Sequence, residues 1–259
     1  MSLITSRQNP LVKQIAKLLE SPRERRKQQQ FIVEGIHLAQ LAKDSGWPVT
    51  QLILAESASQ HPEIGALLRT WPGVPVVSVS DGLFQQMFDI QANVGIVVLL
   101  SQPLGRVIAD TGEFSVLLDD VQDPGNVGTI MRTAVAAGVS NIYLSHGCAD
   151  VWSPKVLRAA MGAHFQVNVN SDVDLLQVLE SHSGKVVVTD LAASQSLYNL
   201  DLRGPVCMIF GNEGAGVSER LRAAAEDKVL IPMPGKIESL NVAAAAAICL
   251  FERVRQLQR

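Results

Sequence analysis

The amino-acid sequence predicts an α/β protein with two domains, on three observations. Apolar runs of strand length alternate with segments of helical periodicity along the chain. A polar stretch broken by Pro and Gly, residues 101–112, has the composition of a linker. With 259 residues, 47% of them hydrophobic and 18% charged, the chain can bury a core on each side of that stretch. The predicted domains are residues 1–100 and 113–259.

The first part of the chain predicts a small α/β domain that begins with a basic helix. Apolar residues recur at helical spacing over residues 11–19, with Lys13 and Lys17 on the other face. Turn residues separate the later elements. The predicted strands are residues 31–33, 52–54, 74–77 and 95–100, and the predicted helices are residues 36–44 and 81–88.

The second part predicts a mainly parallel sheet covered by helices on both faces, because continuous apolar strands alternate with helices. The predicted strands are residues 114–120, 141–144, 186–188, 206–210 and 229–231. The predicted helices are residues 127–137, 154–161, 173–179, 218–225 and 240–256. Asn126 precedes the first of these helices and is a candidate for its N-terminal cap.

The charge is unevenly distributed. Residues 1–30 hold seven basic and two acidic residues, a net charge of +5, so the remainder of a chain with net charge −3 carries −8. A basic patch on an acidic body can bind a polyanion such as RNA. A solvated helix face explains the same charges equally well. The candidate RNA-binding residues are Lys13, Lys17, Arg23, Arg25, Arg26 and Lys27.

Composition argues against a membrane or secreted protein. The longest apolar run, residues 242–251, is about half as long as a membrane-spanning helix needs to be. Residues 1–7 lack the apolar core of a signal peptide. Cys148, Cys207 and Cys249 lie far apart among apolar neighbours, which is typical of thiols in a reducing compartment. We therefore expect a cytoplasmic protein.

Several standard catalytic signatures are absent from the sequence. Residues 211–216 (Gly-Asn-Glu-Gly-Ala-Gly) lack the ending of a phosphate-binding P-loop and the glycine spacing of a dinucleotide site. No His, Cys, Asp or Glu cluster has metal-ligand spacing, so no metal is expected. There is no nucleophile elbow, although sequence alone leaves a Ser-His-Asp hydrolase open.

Three segments crowd polar residues and glycines near strand ends, where α/β proteins form ligand pockets. The first is residues 124–128 (Pro-Gly-Asn-Val-Gly) followed by Arg132, which by itself could be an ordinary surface arginine. The second is residues 210–216. The third is residues 231–235 (Ile-Pro-Met-Pro-Gly), with Ser239, Leu240 and Asn241 following.

In order and spacing these segments resemble the three motifs of the SpoU (TrmH-type) RNA ribose methyltransferases of the knotted SPOUT class. Residues 6–13 and 31–35 look like the ribosomal-protein-like substrate-binding domain of the ribosomal RNA branch. One departure is Met161 before Gly162, where relatives commonly have serine. The resemblance implies a deep trefoil knot over about residues 206–259, a homodimer, S-adenosylmethionine as methyl donor and a ribose 2′-hydroxyl of RNA, most of all ribosomal RNA, as acceptor.

The resemblance also assigns site residues. The implied cofactor contacts are Gly211, Ile231 and Leu240, with Phe210, Asn212, Met233 and Gly235 completing the slot. The implied catalytic residues are Arg132, Asn126, Glu213, Ser239 and Asn241, with Glu213 as the expected partner of Arg132, within one chain or across a subunit boundary. The alternatives are a methyltransferase of the same class that acts on transfer RNA or on a base, and a non-catalytic RNA-binding protein that kept the fold.

The resemblance places Arg132 at the position often described as the general base. A guanidinium keeps its proton at neutral pH, so it is a poor proton acceptor. We therefore expect Arg132 to grip the phosphate beside the target ribose and to stabilise negative charge that develops on the hydroxyl oxygen.

Overall fold

A computed structural model of the chain describes residues 3–88, 95–102 and 114–258, which fall into two compact units. The first unit holds the described residues up to Gln102 together with Trp152–Pro154, and the second holds the other described residues from Phe114 onward. The predicted linker lies outside the described residues except for Ser101, which ends a strand, and Gln102.

The first unit is built on one mixed sheet. Its strands are β1 (Leu3–Ile4), β2 (Gln30–Glu34), β3 (Val49–Ala55), β4 (Val76–Val79) and β5 (Ile96–Ser101). They lie in the order β1-β4-β3-β5-β2, parallel from β1 to β3 and antiparallel on both sides of β5. The four strands that the sequence predicts here are confirmed with shifted bounds. The two-residue β1 is too short for an apolar pattern to detect.

The helices of the first unit are α1 (Pro10–Glu20), α2 (Pro22–Gln28), α3 (Ile36–Asp44), α4 (Pro62–Thr70) and α5 (Asp81–Met87). The basic helix predicted over residues 11–19 is confirmed as α1, and the basic residues that follow it belong to a second helix, α2. The chain leaves the helical conformation at Ser21, whose side chain accepts a hydrogen bond from the amide of Glu24 and caps α2. Pro22 then starts the new helix, because proline disfavours a helical residue before it.

The second unit contains a seven-stranded sheet in which every described strand pair is parallel. Its strands are β6 (Phe114–Asp119), β7 (Asn141–Leu144), β8 (Asn168–Ser171), β9 (Lys185–Thr189), β10 (Gln195–Ser196), β11 (Val206–Gly211) and β12 (Asp227–Leu230). They lie in the order β10-β12-β9-β11-β6-β7-β8, which confirms the predicted mainly parallel sheet. The two edge strands, β8 and β10, were not predicted because their residues are mostly polar.

Five helices accompany this sheet: α6 (Pro124–Ala136), α7 (Pro154–Ala160), α8 (Leu175–Ser181), α9 (Glu219–Ala224) and α10 (Val242–Leu257). The expected cap of α6 is wrong by three residues. Asp123, not Asn126, accepts the capping bond, from the amide of Asn126 at 2.8 Å. Asn126 therefore lies in the first turn of α6, where its side chain is available for other partners.

The core of the second unit follows its central strands. Every residue of β6 and β11 is buried, and the side chains of Leu117, Val188 and Ile209 are fully enclosed. Burying one such side chain stabilises a fold by about 1.5–3 kcal/mol. The core therefore fixes the strand ends from which the neighbouring loops depart.

The trefoil knot that the resemblance implies over about residues 206–259 stays a prediction. In the part of the chain that the structure describes, no helix combines the length and hydropathy needed to cross a bilayer.

Candidate active site

A cavity of about 390 Å³ lies where three strands of the second unit end. The strands β9, β11 and β12 are parallel neighbours, so their carboxyl ends meet at one edge of the sheet. The volume of the cavity lies within the usual range of about 300–1,000 Å³ for small-molecule sites. The residues that line it are Thr189, Asp190, Leu191, Gly211, Asn212, Glu213, Gly214, Gly216, Val217, Val229, Leu230, Ile231, Met233, Glu238, Ser239, Leu240, Asn241, Val242 and Ala245.

Most of the residues assigned to the cofactor slot line this cavity, and two do not. Those that do are Gly211, Asn212, Ile231, Met233 and Leu240. Phe210 is 1% exposed within β11, and because neighbouring strand residues point to opposite faces, its ring packs into the protein core. Gly235 lies in an exposed loop beyond the cavity lining. The assignment of Phe210 and Gly235 to the cofactor stays a prediction.

Gly211 is required by a close approach of backbone. A Cβ atom at this position would lie 2.3 Å from the carbonyl carbon of Gly216 and 2.3 Å from the amide nitrogen of Val217. The approach exists because Asn212 and Gly216 exchange two backbone hydrogen bonds, of 3.0 and 2.9 Å. The glycine thus admits a returning loop, which in turn forms one wall of the cavity.

The side chain of Asn212 holds that loop together. Its Oδ1 accepts hydrogen bonds from the amides of Gly214 and Ala215, both at 2.9 Å. Its Nδ2 donates to the carbonyl oxygen of Asp120 at 2.9 Å, which ties the loop to the end of β6. Asn212 therefore shapes the cavity wall with polar groups that already have protein partners.

Asn126 connects the three predicted motifs. Its Nδ2 donates to Oε1 of Glu213 at 2.9 Å, and its Oδ1 accepts from Nδ2 of Asn241 at 3.0 Å. Asn241 also caps α10, because its Oδ1 accepts from the amides of Ala243 and Ala244 at 2.9 and 3.3 Å. One asparagine outside the cavity lining therefore positions two residues that belong to it.

Glu213 is held as an anion. Besides Asn126, the amides of Gln122 and Asp123 donate to its carboxylate, at 3.2 and 3.1 Å. Partial burial opposes the charge, but the hydrogen bonds from Asn126 and these amides outweigh it, so the pKa of Glu213 falls below its usual value. The expected partnership of Glu213 with Arg132 is absent within the chain, since this carboxylate already accepts from the α6 loop.

Arg132 lies exposed on α6. Among the described residues it has neither a hydrogen bond nor an ion pair. Ser239, which lines the cavity, is exposed as well and also lacks a hydrogen-bond partner in the described ranges. A guanidinium without a protein partner can bind a phosphate group or an oxyanion of a ligand.

Sequence patterns missed one wall of the cavity, formed by Thr189, Asp190 and Leu191 after β9. Asp190 accepts from the amide of Ala192 at 2.9 Å and from Nη1 of Arg222 at 3.4 Å. The signal was available, because the buried run of β9 ends in Thr-Asp and parallel strands share a carboxyl edge. Applying that rule to β9 as well as to β11 would have found this wall.

The candidate RNA-binding residues of the first unit divide into two groups. Lys13 and Lys17 on α1 are exposed, as are Arg23, Arg26 and Lys27 on α2. We call these five residues the basic surface. Exposed cations on two consecutive helices suit contact with phosphates.

Arg25 does not belong to the basic surface, which corrects its assignment as an RNA contact. It is 3% exposed, and its Nη1 donates to the carbonyl oxygens of Leu18 and Leu19 in the last turn of α1. These carbonyls have no partner within their own helix. Arg25 therefore links the end of α1 to α2 and cannot reach a phosphate in this conformation.

No group of three or more His, Cys, Asp or Glu side chains that could hold a metal ion occurs in residues 3–88, 95–102 and 114–258.

Two family models match the chain. Residues 113–251 match the SpoU rRNA methylase family, and residues 9–97 match the MRM3-like substrate binding domain. The first match covers most of the second unit, including all three predicted motifs.

Individual proteins match over almost the whole chain. The 23S rRNA (guanosine(2553)-2′-O)-methyltransferase RlmP of Bacillus subtilis is 33% identical over 97% of this chain and 98% of its own length. The SpoU methyltransferase AviRb of Streptomyces viridochromogenes, solved with AdoMet, superposes with a TM-score of 0.90 at 28% identity, covering 97% of this chain and 99% of its own. The AdoMet-bound rRNA methyltransferase of Sinorhizobium meliloti gives a TM-score of 0.88 at 32% identity, covering 99% and 98%.

Proposed function

The chain belongs to the SpoU rRNA methylase family, and we propose that it transfers the methyl group of S-adenosylmethionine to a ribose 2′-hydroxyl of ribosomal RNA. The observation that carries this proposal is the pair of hydrogen bonds from Asn126 to Glu213 and Asn241. These bonds tie the first motif to residues of the second and third motifs that line one cavity. A protein that only bound RNA would have no need of that arrangement.

The cavity fits the methyl donor in size and in chemistry. Apolar side chains such as Ile231 and Leu240 suit the adenine ring. Gly211 has no side chain, so the backbone there can offer amide and carbonyl groups to the polar edge of the adenine. We propose that Gly211, Ile231, Leu240, Asn212 and Met233 hold the donor. When bound, S-adenosylmethionine supplies an electrophilic methyl group on a sulfonium.

Arg132 is proposed as the catalytic residue that meets the RNA. Its exposed guanidinium, without a protein partner in the described ranges, is free to bind the phosphate beside the target ribose. The same charge would stabilise the hydroxyl oxygen as it loses its proton. Holding the ribose in one orientation also removes much of the entropic cost of the reaction.

The polar residues around Arg132 are proposed to orient it, the ribose and the donor. Asn126 lies in the first turn of the helix that carries Arg132 and is fixed by Glu213 and Asn241. Ser239, exposed on the cavity rim, is available to a ribose hydroxyl. The hydrogen bonds of Asn126 hold it, Glu213 and Asn241 in defined positions before any ligand arrives, which is what preorganisation requires.

The first unit is proposed to bind the RNA. Residues 1–100 would form the substrate-binding domain, residues 101–112 the linker and residues 113–259 the methyltransferase domain. The basic surface would contact phosphates, giving affinity that depends on salt and little on sequence. Structured RNA would then be recognised through its shape and ribose hydroxyls.

We further propose a cytoplasmic homodimer whose last residues, about 206–259, form a trefoil knot. The free thiols of Cys148, Cys207 and Cys249 support a reducing compartment. Analytical ultracentrifugation tests the dimer, and a monomer at micromolar concentration would contradict it.

Two measurements test the proposed function. Calorimetry with S-adenosylmethionine alone should show binding, and its absence at millimolar donor would favour a non-catalytic RNA-binding protein. Mapping ribose methylation in cells with and without this protein should then reveal a lost site in ribosomal RNA. A lost site in transfer RNA instead would overturn the choice of substrate while leaving the reaction intact.

A further inference from the structure

The cavity of the second unit is lined by acidic residues and by no basic ones. Asp190, Glu213 and Glu238 are its ionisable side chains, and no Lys, Arg or His is among the lining residues that the structure describes. An excess of one sign of charge in a concave site concentrates the electrostatic field there. The charge of any ligand therefore matters for its affinity.

The three carboxylates differ in how far their charge is compensated. Asp190 forms an ion pair with Arg222 at 3.4 Å. Glu213 accepts only from neutral donors, the amide of Asn126 and two backbone amides. Glu238 is exposed and has no hydrogen bond or ion pair with any other residue in the described ranges. Glu213 and Glu238 thus leave uncompensated negative charge in the cavity.

The substrate and the product of methyl transfer differ in the charge of one atom. S-adenosylmethionine carries a positive sulfonium, whereas S-adenosylhomocysteine has a neutral thioether in its place. Adenine, ribose and the amino-acid end are the same in both. Apolar contacts and hydrogen bonds therefore hold the two about equally, apart from one methyl group. An uncompensated carboxylate that faces the sulfonium distinguishes them, because its interactions with the charged amino-acid end are common to both ligands and cancel in the comparison.

We propose that Glu238 is a specificity-determining residue by which the cavity prefers the cationic methyl donor to the neutral product. This rests on the proposed assignment of the cavity to S-adenosylmethionine. Glu238 is the informative residue because its side chain supports no other described group, whereas Glu213 also holds Asn126. Transfer of the methyl group removes the attraction and so favours exchange of product for fresh donor.

The test is calorimetric, on the full-length protein. The dissociation constants of S-adenosylmethionine, S-adenosylhomocysteine and sinefungin, an analogue with an amine in place of the sulfonium, are measured for the wild type and for Glu238→Gln. We expect the substitution to weaken binding of the two ligands that carry a positive charge at this position by about two- to fivefold, as for one exposed charge, and to leave the affinity for S-adenosylhomocysteine unchanged. The wild-type preference should also shrink between low salt and 0.5 M NaCl, because ions screen exposed charges.

Glu180→Gln provides the matched control. Glu180 is exposed on α8 and does not line the cavity, and its replacement by Gln changes the net charge by the same amount as Glu238→Gln. Equal weakening of all three ligands by Glu238→Gln, no change in their ratio, or the same change in Glu180→Gln would each overturn the proposal. If the wild type bound none of the three ligands, the proposed assignment of the cavity to S-adenosylmethionine would be contradicted as well. An active methyltransferase with an unchanged ratio contradicts this inference alone.

Discussion

The basic surface of the first unit and the cavity of the second are assembled in different ways. The five residues of the basic surface lie within two consecutive helices and need only exposure to act. At the cavity, Asn126 bonds to Glu213, which is 87 residues away along the chain, and to Asn241, which is 115 residues away. The surface depends on charge in a short segment, whereas the cavity depends on hydrogen bonds between distant ones.

This difference predicts different responses to substitution. Exposed charges that act independently should contribute additively and be screened by salt. Residues in one hydrogen-bond network should show coupled effects, because removing one member leaves another without its partner. The substitutions below test that distinction, beginning with the largest expected effect.

Replacing Arg132 with Ala should lower the methyl-transfer rate by about 10²–10³-fold, the usual cost of removing a group that stabilises developing charge. The affinity for S-adenosylmethionine should stay within several-fold, since Arg132 does not line the cavity. Single-turnover kinetics and calorimetry measure the two quantities separately. Retained activity would mean that Arg132 is an ordinary surface arginine.

Gly211→Ala should weaken donor binding and reduce the free energy of unfolding by about 1–3 kcal/mol, because the new Cβ meets backbone atoms that cannot move independently. Gly235→Ala is the matched control, since nothing lies within 4 Å of the position its Cβ would take. Chemical denaturation and calorimetry report both effects. Equal behaviour of the two variants would remove the structural distinction between these glycines.

Replacing Lys13, Lys17, Arg26 and Lys27 together with Gln should weaken RNA binding roughly tenfold at physiological salt. The dependence of log affinity on log salt should become shallower, by about 0.7 for each lost phosphate contact. Fluorescence anisotropy across a salt series measures this slope. An unchanged slope would show that the basic surface is only a solvated face.

Arg25→Gln is the control within the same segment. Losing the hydrogen bonds to the carbonyls of Leu18 and Leu19 should cost about 1–3 kcal/mol of stability. The salt slope should not change as long as the variant is folded at the assay temperature. A shallower slope for Arg25→Gln alone would restore Arg25 to the RNA contacts.

The smallest expected effect is a pH response of the second unit. His164 is buried, its Nε2 lies 2.8 Å from the carbonyl oxygen of Val151, and desolvation lowers its pKa from 6.5 to about 4. As the pH falls, His164 takes up a proton in the unfolded chain before it does so in the folded protein. Neutral His164 therefore contributes fully to folding stability above pH 6.5, and this contribution is lost as the pH falls toward 4. From pH 7 to 5.5 the loss should be on the order of 1 kcal/mol.

Urea denaturation of the wild type and of His164→Gln over this pH range measures that contribution as a difference between the two curves. A difference is needed because His146 contributes with the opposite sign: its hydrogen bond to Asp172 raises its pKa. Hydrogen exchange should locate the loss in the second unit. Parallel pH curves for the two proteins would contradict the assignment to His164.

The sequence predicts the parallel core better than the edges of the sheet. The strand β11 is a continuous apolar run because both of its faces are buried. The edge strand β8 has the sequence Asn-Val-Asn-Ser, and nothing in its composition separates it from a loop. What makes it a strand is pairing with β7, which is a tertiary interaction.

The candidate site shows the same limit. Motif spacing predicts Gly211 and Asn241, but it cannot tell that Phe210 is buried outside the cavity lining or that Arg25 folds back onto α1. A side chain's burial depends on neighbours that are distant in sequence. The wall formed by Asp190 belongs to no motif and follows only from the strand order.

The bond between Asn241 and Asn126 has a consequence for the order in which the protein acquires activity. A chain still being synthesised can fold β6 and α6 early, but Asn241 and the helix that it caps are made only after every strand of the sheet. Closing a contact across 115 residues is entropically costly and is made only once the intervening sheet exists. A chain whose synthesis has not reached α10 therefore lacks part of the cavity, so methyl transfer becomes possible only after that helix has been made.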